Sequence, residues 1–301
     1  MNNETQSAPL GKTVLLALLL VIATVFTIGW IASLLKKRQE GIRPSPYQLF
    51  IGFITDFFDT LGVGSFATTT SLFRLGKVVD DDKIPGTLNV GHTLPTILQA
   101  LIYITIVEIE LWTLWILIIA SVVGSYLGAT FVSRLPKKGV QIGMGGALLV
   151  AVSMIIAKLL GWIPSGGESL GLTGWSLLIG IVGNFAFGAL MTIGVGAYAP
   201  IMIMVSLLGM NQTAAFPLMM GSCAILMPVA SYRFVRSGRY DAKAALGLTL
   251  LGLPGVAIAA LIVKKLPTDY VNWLVVVVVI YTAVSMLYSA SKADNTSTNM
   301  D

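Results

Sequence analysis

The sequence predicts an all-α polytopic membrane protein: an N-terminal helix, then two inverted repeats, each a re-entrant broken-helix hairpin followed by three transmembrane helices. Three observations predict it. Charged residues make up only 11% of a chain that is 55% hydrophobic, whereas a soluble domain carries about 25% charged residues. Two glycine-containing segments recur at a fixed offset of 132 residues. The basic residues fall on one side of the membrane only if those segments turn back instead of crossing.

A span needs about 20 apolar residues. Thr13 to Leu35, Ile84 to Val107, Leu111 to Ser133, Gly139 to Ala157, Ala244 to Val263 and Tyr270 to Ser291 all lack charge. Ser169 to Tyr232 is an uncharged stretch of 64 residues interrupted by Gly and Pro. Tyr47 to Phe73 is apolar but carries Asp56 and Asp59. The first run is too long for a signal-peptide core, and its basic cluster Lys36, Lys37, Arg38 follows it, so it reads as an N-out anchor. The residues before Thr13 and after Lys292 are polar and are expected to be disordered.

"GFITDFFDTLGVGSFA" from Gly52 aligns with "NFAFGALMTIGVGAYA" from Asn184. Phe53 meets Phe185, Thr60 meets Thr192, and the Gly-Val-Gly triplets coincide. Pro85 then meets Pro217. With one residue deleted, Gly124 meets Gly255 at the start of runs ending in "SRLP" and "KKLP". The expected division is residues 1–46 for the tail, extra helix and basic linker, 47–165 for the first repeat, 166–291 for the second, and 292–301 for the C-terminal tail.

With the N-terminus outside and each Gly-Val-Gly segment re-entrant, 15 of the 19 basic residues lie inside. Only Lys12, Lys158, Lys264 and Lys265 lie outside or near the outer end. That asymmetry matches the positive-inside rule; it also argues against nucleic acid as the partner of a chain with net charge +5. A hairpin adds no crossing and three spans add an odd number, so the two halves are inverted, an arrangement frequent in secondary transporters.

Unpaired backbone survives in a membrane only under cover of protein or water. A glycine break therefore either allows close helix packing or starts a second half-helix whose free N–H groups attract anions. The repetition favours the second reading, with Gly62, Gly64, Gly194 and Gly196 converging near the midplane. Ser65 at the break and Thr68 after it offer hydroxyls, although a helical Ser or Thr also bonds back to its own helix. Tyr198 stands near the second break. Asp56 and Asp59 share a helix face and are expected to face inward; Asp59, nearest the break, is the candidate proton carrier. His92, the only histidine, shares a face with Asn89, and both are candidates to line the site or to join helices. Ser222 is the small polar element of the matching second-half segment. Asp80, Asp81 and Asp82 read as a solvated loop. Cys223 is the only cysteine, which leaves no disulfide framework and no cysteine metal site.

The glycine turns ("DTLGVGSF" at Asp59, "MTIGVGAY" at Met191), the small-residue and proline segments from Ile84 and Ala215, and the "SRLP" and "KKLP" span ends resemble those of the sulfite exporter TauE/SafE family of membrane transporters. The resemblance runs from about Tyr47 to Ser289 and leaves the N-terminal helix outside. The family's usual turn is Gly-hydrophobic-Gly-Gly-Gly; here Ser65 and Phe66, and Ala197 and Tyr198, follow the second glycine, which leaves the substrate open.

The resemblance implies transport of sulfite, a sulfonate or a related sulfur-containing or organic anion, expected here across the bacterial cytoplasmic membrane; the charge placement puts the N-terminus outside and the C-terminus in the cytoplasm. The expected partners are that small anion and membrane lipid, with a second copy as a candidate; no cofactor, metal or nucleic acid is expected. The reading is a secondary transporter working by alternating access, with proton coupling through Asp59 or Asp56 as an option. A passive anion channel is the alternative. The lone histidine, the two close acids and the lack of a metal-ligand pattern argue against an enzyme.

Overall fold

The computed structural model describes residues 4–36, 42–61, 64–162, 167–194, 196 and 198–262, and eight positions between 276 and 291. Among the described residues there are ten helices and no strand. They are α1 (Glu4–Lys36), α2 (Pro46–Thr60), α3 (Ser65–Gly76), α4 (Ile84–Ile106), α5 (Leu111–Val132), α6 (Lys137–Leu159), α7 (Gly174–Met191), α8 (Tyr198–Leu207), α9 (Gln212–Ser237) and α10 (Ala242–Ile262). Helices satisfy their own backbone groups, as a hydrocarbon solvent demands.

Among the described residues, five stretches are long and apolar enough to cross a membrane: Gly11–Leu35, Leu111–Val132, Gly174–Met191, Ala214–Ser237 and Ala242–Leu261. α4 is 23 residues long, about 35 Å at 1.5 Å per residue, but polar residues dilute its hydropathy. The N-terminal boundary needs correction, because α1 starts at Glu4, well before Thr13. Most of Tyr270 to Ser291 and the whole tail 292–301 lie outside the described residues.

Local chemistry sets the ends of α2 and α3. Ser45 accepts from the Gln48 amide, the Gln48 side chain accepts from the Ser45 amide, and Pro46 occupies the first turn. This capping box fixes where α2 begins. α3 begins after Gly64, whose φ of 82° suits glycine.

α2 and α3 form a hairpin. Tyr47, at the start of α2, donates to the Leu72 carbonyl near the end of α3 at 3.2 Å, and its ring packs on Gly76. α7 and α8 fold back similarly: Gly183 lies against Met204, and Asn211, after α8, donates to the Ser169 carbonyl before α7 at 2.8 Å.

The packing follows a reciprocal pattern. α2 packs along α10, α7 along α5, and α4 along α9; α5 also packs on α9 and α10 on α4. Exchanging α2 with α7, α4 with α9 and α5 with α10 reproduces the same set of neighbours. Glycines make the two outer contacts close. Gly255 of α10 faces the Phe53 carbonyl of α2, and Gly124 of α5 faces the Phe185 carbonyl of α7. These are the residues that the sequence offset pairs. A side chain at either glycine would collide with backbone, so neither helix pair could approach as closely.

The acidic run forms a turn with Asp80 exposed, as expected of a solvated loop, but Asp81 and Asp82 are partly covered by distant partners. Asp81 takes Arg74 at 2.6 Å and the Gln141 amide at 2.7 Å. Asp80 pairs with Lys83 at 3.0 Å, and Asp82 with Arg239 at 3.8 Å. Sequence proximity alone does not reveal Gln141 and Arg239, which tie α6 and the α9–α10 turn to the α3–α4 turn.

Candidate functional site

The tips of the two hairpins meet. A Cβ on Gly196 would stand 3.6 Å from the Phe66 Cβ. Between the tips lies a small cavity of about 20 Å³, lined by Asp59, Gly64, Ser65 and Phe66 from the first hairpin and by Met191 and Gly196 from the second. Thr96 of α4 and Met220 and Cys223 of α9 complete the wall. Such a volume has room for about one water. Two pairs in the wall, Asp59 with Met191 and Gly64 with Gly196, are related by the 132-residue offset, so equivalent parts of the two segments face one another across the cavity.

Asp59 holds the first tip closed. Its Oδ1 accepts from the Ser65 amide at 2.7 Å, and its Oδ2 accepts from the Gln99 side chain at 3.0 Å. The carboxylate therefore caps the start of α3, where acids are favoured. The Ser65 amide is taken, because the turn folds Asp59 over the helix start. Thr68 also turns inward on its own helix, donating to the carbonyls of Gly64 and Ser65.

A second acid lies one turn back on α2. Asp56 Oδ1 is 2.8 Å from His92 Nδ1, and His92 Nε2 is 3.0 Å from Thr69 Oγ1. Asp56, His92 and Thr69 are wholly buried. The Phe66 ring sits 5.9 Å from the imidazole. Asp56 Oδ2 has no hydrogen-bond partner and lies against Gly252 of α10.

α4 supplies most of the partners. His92, Thr96, Gln99 and Tyr103 recur at spacings of four, three and four, which makes one helical stripe. Gln99 also donates to Thr60 at 3.0 Å, and the Tyr103 hydroxyl donates to the Thr60 carbonyl at 2.5 Å. The helical stripe that continues from His92 is the signal in the sequence for Gln99 and Tyr103, beyond Asn89 and His92.

The remaining expected residues divide. Gly64, Ser65, Gly196 and Asp59 line the cavity. Gly194, with φ 95°, shapes the second tip and packs on Met144 and Leu88. His92 and Asp56 stand behind the wall. Asn89 is buried and donates to the Pro85 carbonyl at 2.8 Å, away from the cavity. Ser222 is buried between the wall residues Met220 and Cys223 in sequence, with its hydroxyl unpartnered. Tyr198 opens α8. Gly62 lies outside the described residues.

The cavity wall, among the described residues, contains one carboxylate and no lysine or arginine. At the positions that the offset pairs with Asp56, Asp59, His92 and Gln99, the chain has Gly188, Met191, Ala224 and Ser231. The polar network therefore belongs to the first segment alone.

Fold and site together define a multi-pass, all-helical membrane protein in which two helical hairpins meet at buried acids. The sulfite exporter TauE/SafE family model matches residues 6–155. The chain belongs to this family of membrane transporters. The match begins inside α1, so it takes in the N-terminal helix that the motif resemblance leaves out, and it ends before the second hairpin. No curated protein and no solved structure matches the chain.

Proposed function

We propose that the protein is a secondary transporter that moves a small anion, such as sulfite, a sulfonate or a related organic anion, by alternating access around the cavity between the hairpin tips. The observation that carries this reading is the pairing of Asp59 with Met191 and of Gly64 with Gly196 across one cavity. It supports two inverted repeats, 47–165 and 166–291, with re-entrant hairpins; the placement of the basic residues supports an outside N-terminus and a cytoplasmic C-terminus. The reciprocal packing of α2 on α10 and α7 on α5 supports the same division. Rocking one repeat against the other would open the cavity to each side in turn.

Proton coupling follows from charge. Two like charges about 4 Å apart repel by about 4 kcal/mol at an effective dielectric constant of 20. An anion and an ionised Asp59 therefore oppose one another at this cavity. A proton on Asp59 removes that repulsion, so the anion and the proton travel together. Asp56 and His92, behind the wall, hold the same network in register. The Gly196 end of the second hairpin, which has no acid at the Asp59 position, is the end that receives the anion.

A thermal-shift screen of sulfite, sulfate, thiosulfate and sulfonates at two pH values tests the reading. A ligand that binds the folded protein raises its melting temperature in proportion to the logarithm of its concentration over Kd. One of these anions should stabilise the protein, and more strongly at the lower pH. Anion flux in proteoliposomes that follows voltage alone, without saturation, would identify a channel instead.

A further inference from the structure

A second concave surface, which shares no residue with the cavity between the hairpin tips, lies where the N-terminal helix meets the body. α1 touches the rest of the protein along a narrow strip that includes Leu15, Leu19, Trp30 and Leu34. Beside that strip runs a groove of about 660 Å³ between α1 and α9, within the ~300–1,000 Å³ range of ligand sites. Val25 and Gly29 form one wall, Pro228 and Val229 the other, and Tyr126 of α5 the floor.

The groove ends at cations. Arg236 lines it and donates to the Tyr232 hydroxyl at 3.1 Å. Arg233 donates to the Tyr126 hydroxyl and lies 4.5 Å over the Tyr126 ring. Its Nε is buried without a partner. Arg74, Lys83 and Arg239 all have carboxylate partners. Among the described residues, Arg233 and Arg236 have none.

We propose that this groove binds one anionic phospholipid, with an acyl chain between α1 and α9 and its phosphate at Arg233 and Arg236. The apolar walls suit a hydrocarbon chain. Guanidinium groups bind phosphate through paired, charge-assisted hydrogen bonds, and uncompensated charge at a membrane is costly until such a partner arrives. The lipid would fasten α1 to the transport body.

Gly29 allows a clean test, because a Cβ there meets nothing within 4 Å. A larger side chain would fill the groove without disturbing protein packing. The delipidated protein is incubated with equal amounts of phosphatidylglycerol and phosphatidylcholine of identical acyl chains, and retained lipid is counted by native mass spectrometry. The native chain should keep one phosphatidylglycerol in preference to phosphatidylcholine. Gly29→Leu should reduce retention of both lipids. The double variant Arg233→Ala/Arg236→Ala should weaken phosphatidylglycerol by about tenfold, the affinity equivalent of one charge-assisted hydrogen bond. Circular dichroism of each variant should match the native helix content. Equal retention of the two lipids by the native chain would overturn the proposal, as would unchanged retention in well-folded variants. A disulfide-linked dimer of Gly29→Cys would overturn it by giving the groove to a second copy.

Discussion

His92 Nδ1 lies 2.8 Å from the Asp56 carboxylate, and neither side chain reaches solvent. When Asp56 is ionised it only accepts; Nδ1 then donates to it, and the neutral ring's Nε2 accepts from Thr69. One histidine thereby joins α2, α3 and α4 behind the cavity. Removing His92 leaves the buried Asp56 carboxyl without its hydrogen-bond donor, at a cost of about 1–3 kcal/mol, and more where the carboxyl is charged. His92→Ala should therefore lower the melting temperature in detergent sharply. The double variant Asp56→Asn/His92→Gln, which leaves no lone charge, should recover much of that loss. Equal destabilisation by the single and double variants would show that the pair is not the cause.

Asp59 has two separable duties, capping α3 and carrying charge. Asp59→Asn keeps an oxygen for the Ser65 amide but cannot ionise. Uptake by this variant should persist down an anion gradient and lose its response to an imposed pH gradient in proteoliposomes. Asp59→Leu should lose the cap as well, at about 1 kcal/mol, and should melt earlier than Asp59→Asn. An Asn variant still driven by the pH gradient would remove Asp59 from the coupling.

The hairpin tips differ in why they need glycine. Gly196 has ordinary space for a methyl group, with Phe66 at 3.6 Å, so Gly196→Ala should transport and Gly196→Leu should not. Gly64 has open space but a φ of 82°, so Gly64→Ala is opposed by backbone strain of roughly 1–3 kcal/mol. Both Leu variants, at Gly64 and at Gly196, should reach the membrane and fail in uptake assays. Unchanged uptake would sink the cavity as the transport site.

Gly252 tests the link between α10 and the acids. A Cβ there would collide with Asp56 Oδ2 and approach Pro95 of α4. Overpacking of this kind costs about 1–3 kcal/mol. Gly252→Ala should slow transport more than Gly29→Ala, which adds the same methyl group in open space. Matched effects at the two positions, measured as initial uptake rates at equal protein density, would argue against the contact.

The paired acids were legible because Asp56 and Asp59 are rare charges in an apolar run, three residues apart on a helix. Gln99 was not, because a lone amide in a span has many uses and only the fold shows it bridging Asp59 and Thr60. The solvated-loop reading of Asp80 to Asp82 holds for Asp80 and misses the partners of Asp81 and Asp82 for a related reason. A charge run in sequence says nothing about Gln141 and Arg239, which lie far along the chain.

By itself the sequence determined the solvent, the helices and the offset between the two glycine-broken segments. Composition, charge spacing and glycine position act locally, and each is written in consecutive residues. Only the tertiary structure decided that the two tips share one cavity, that Asp59 already holds the amide at the start of α3, and that Asn89 faces elsewhere. Those outcomes depend on how closely helices approach. That closeness is set by contacts such as Gly255 against Phe53 and Gly124 against Phe185, between residues 202 and 61 positions apart in the chain.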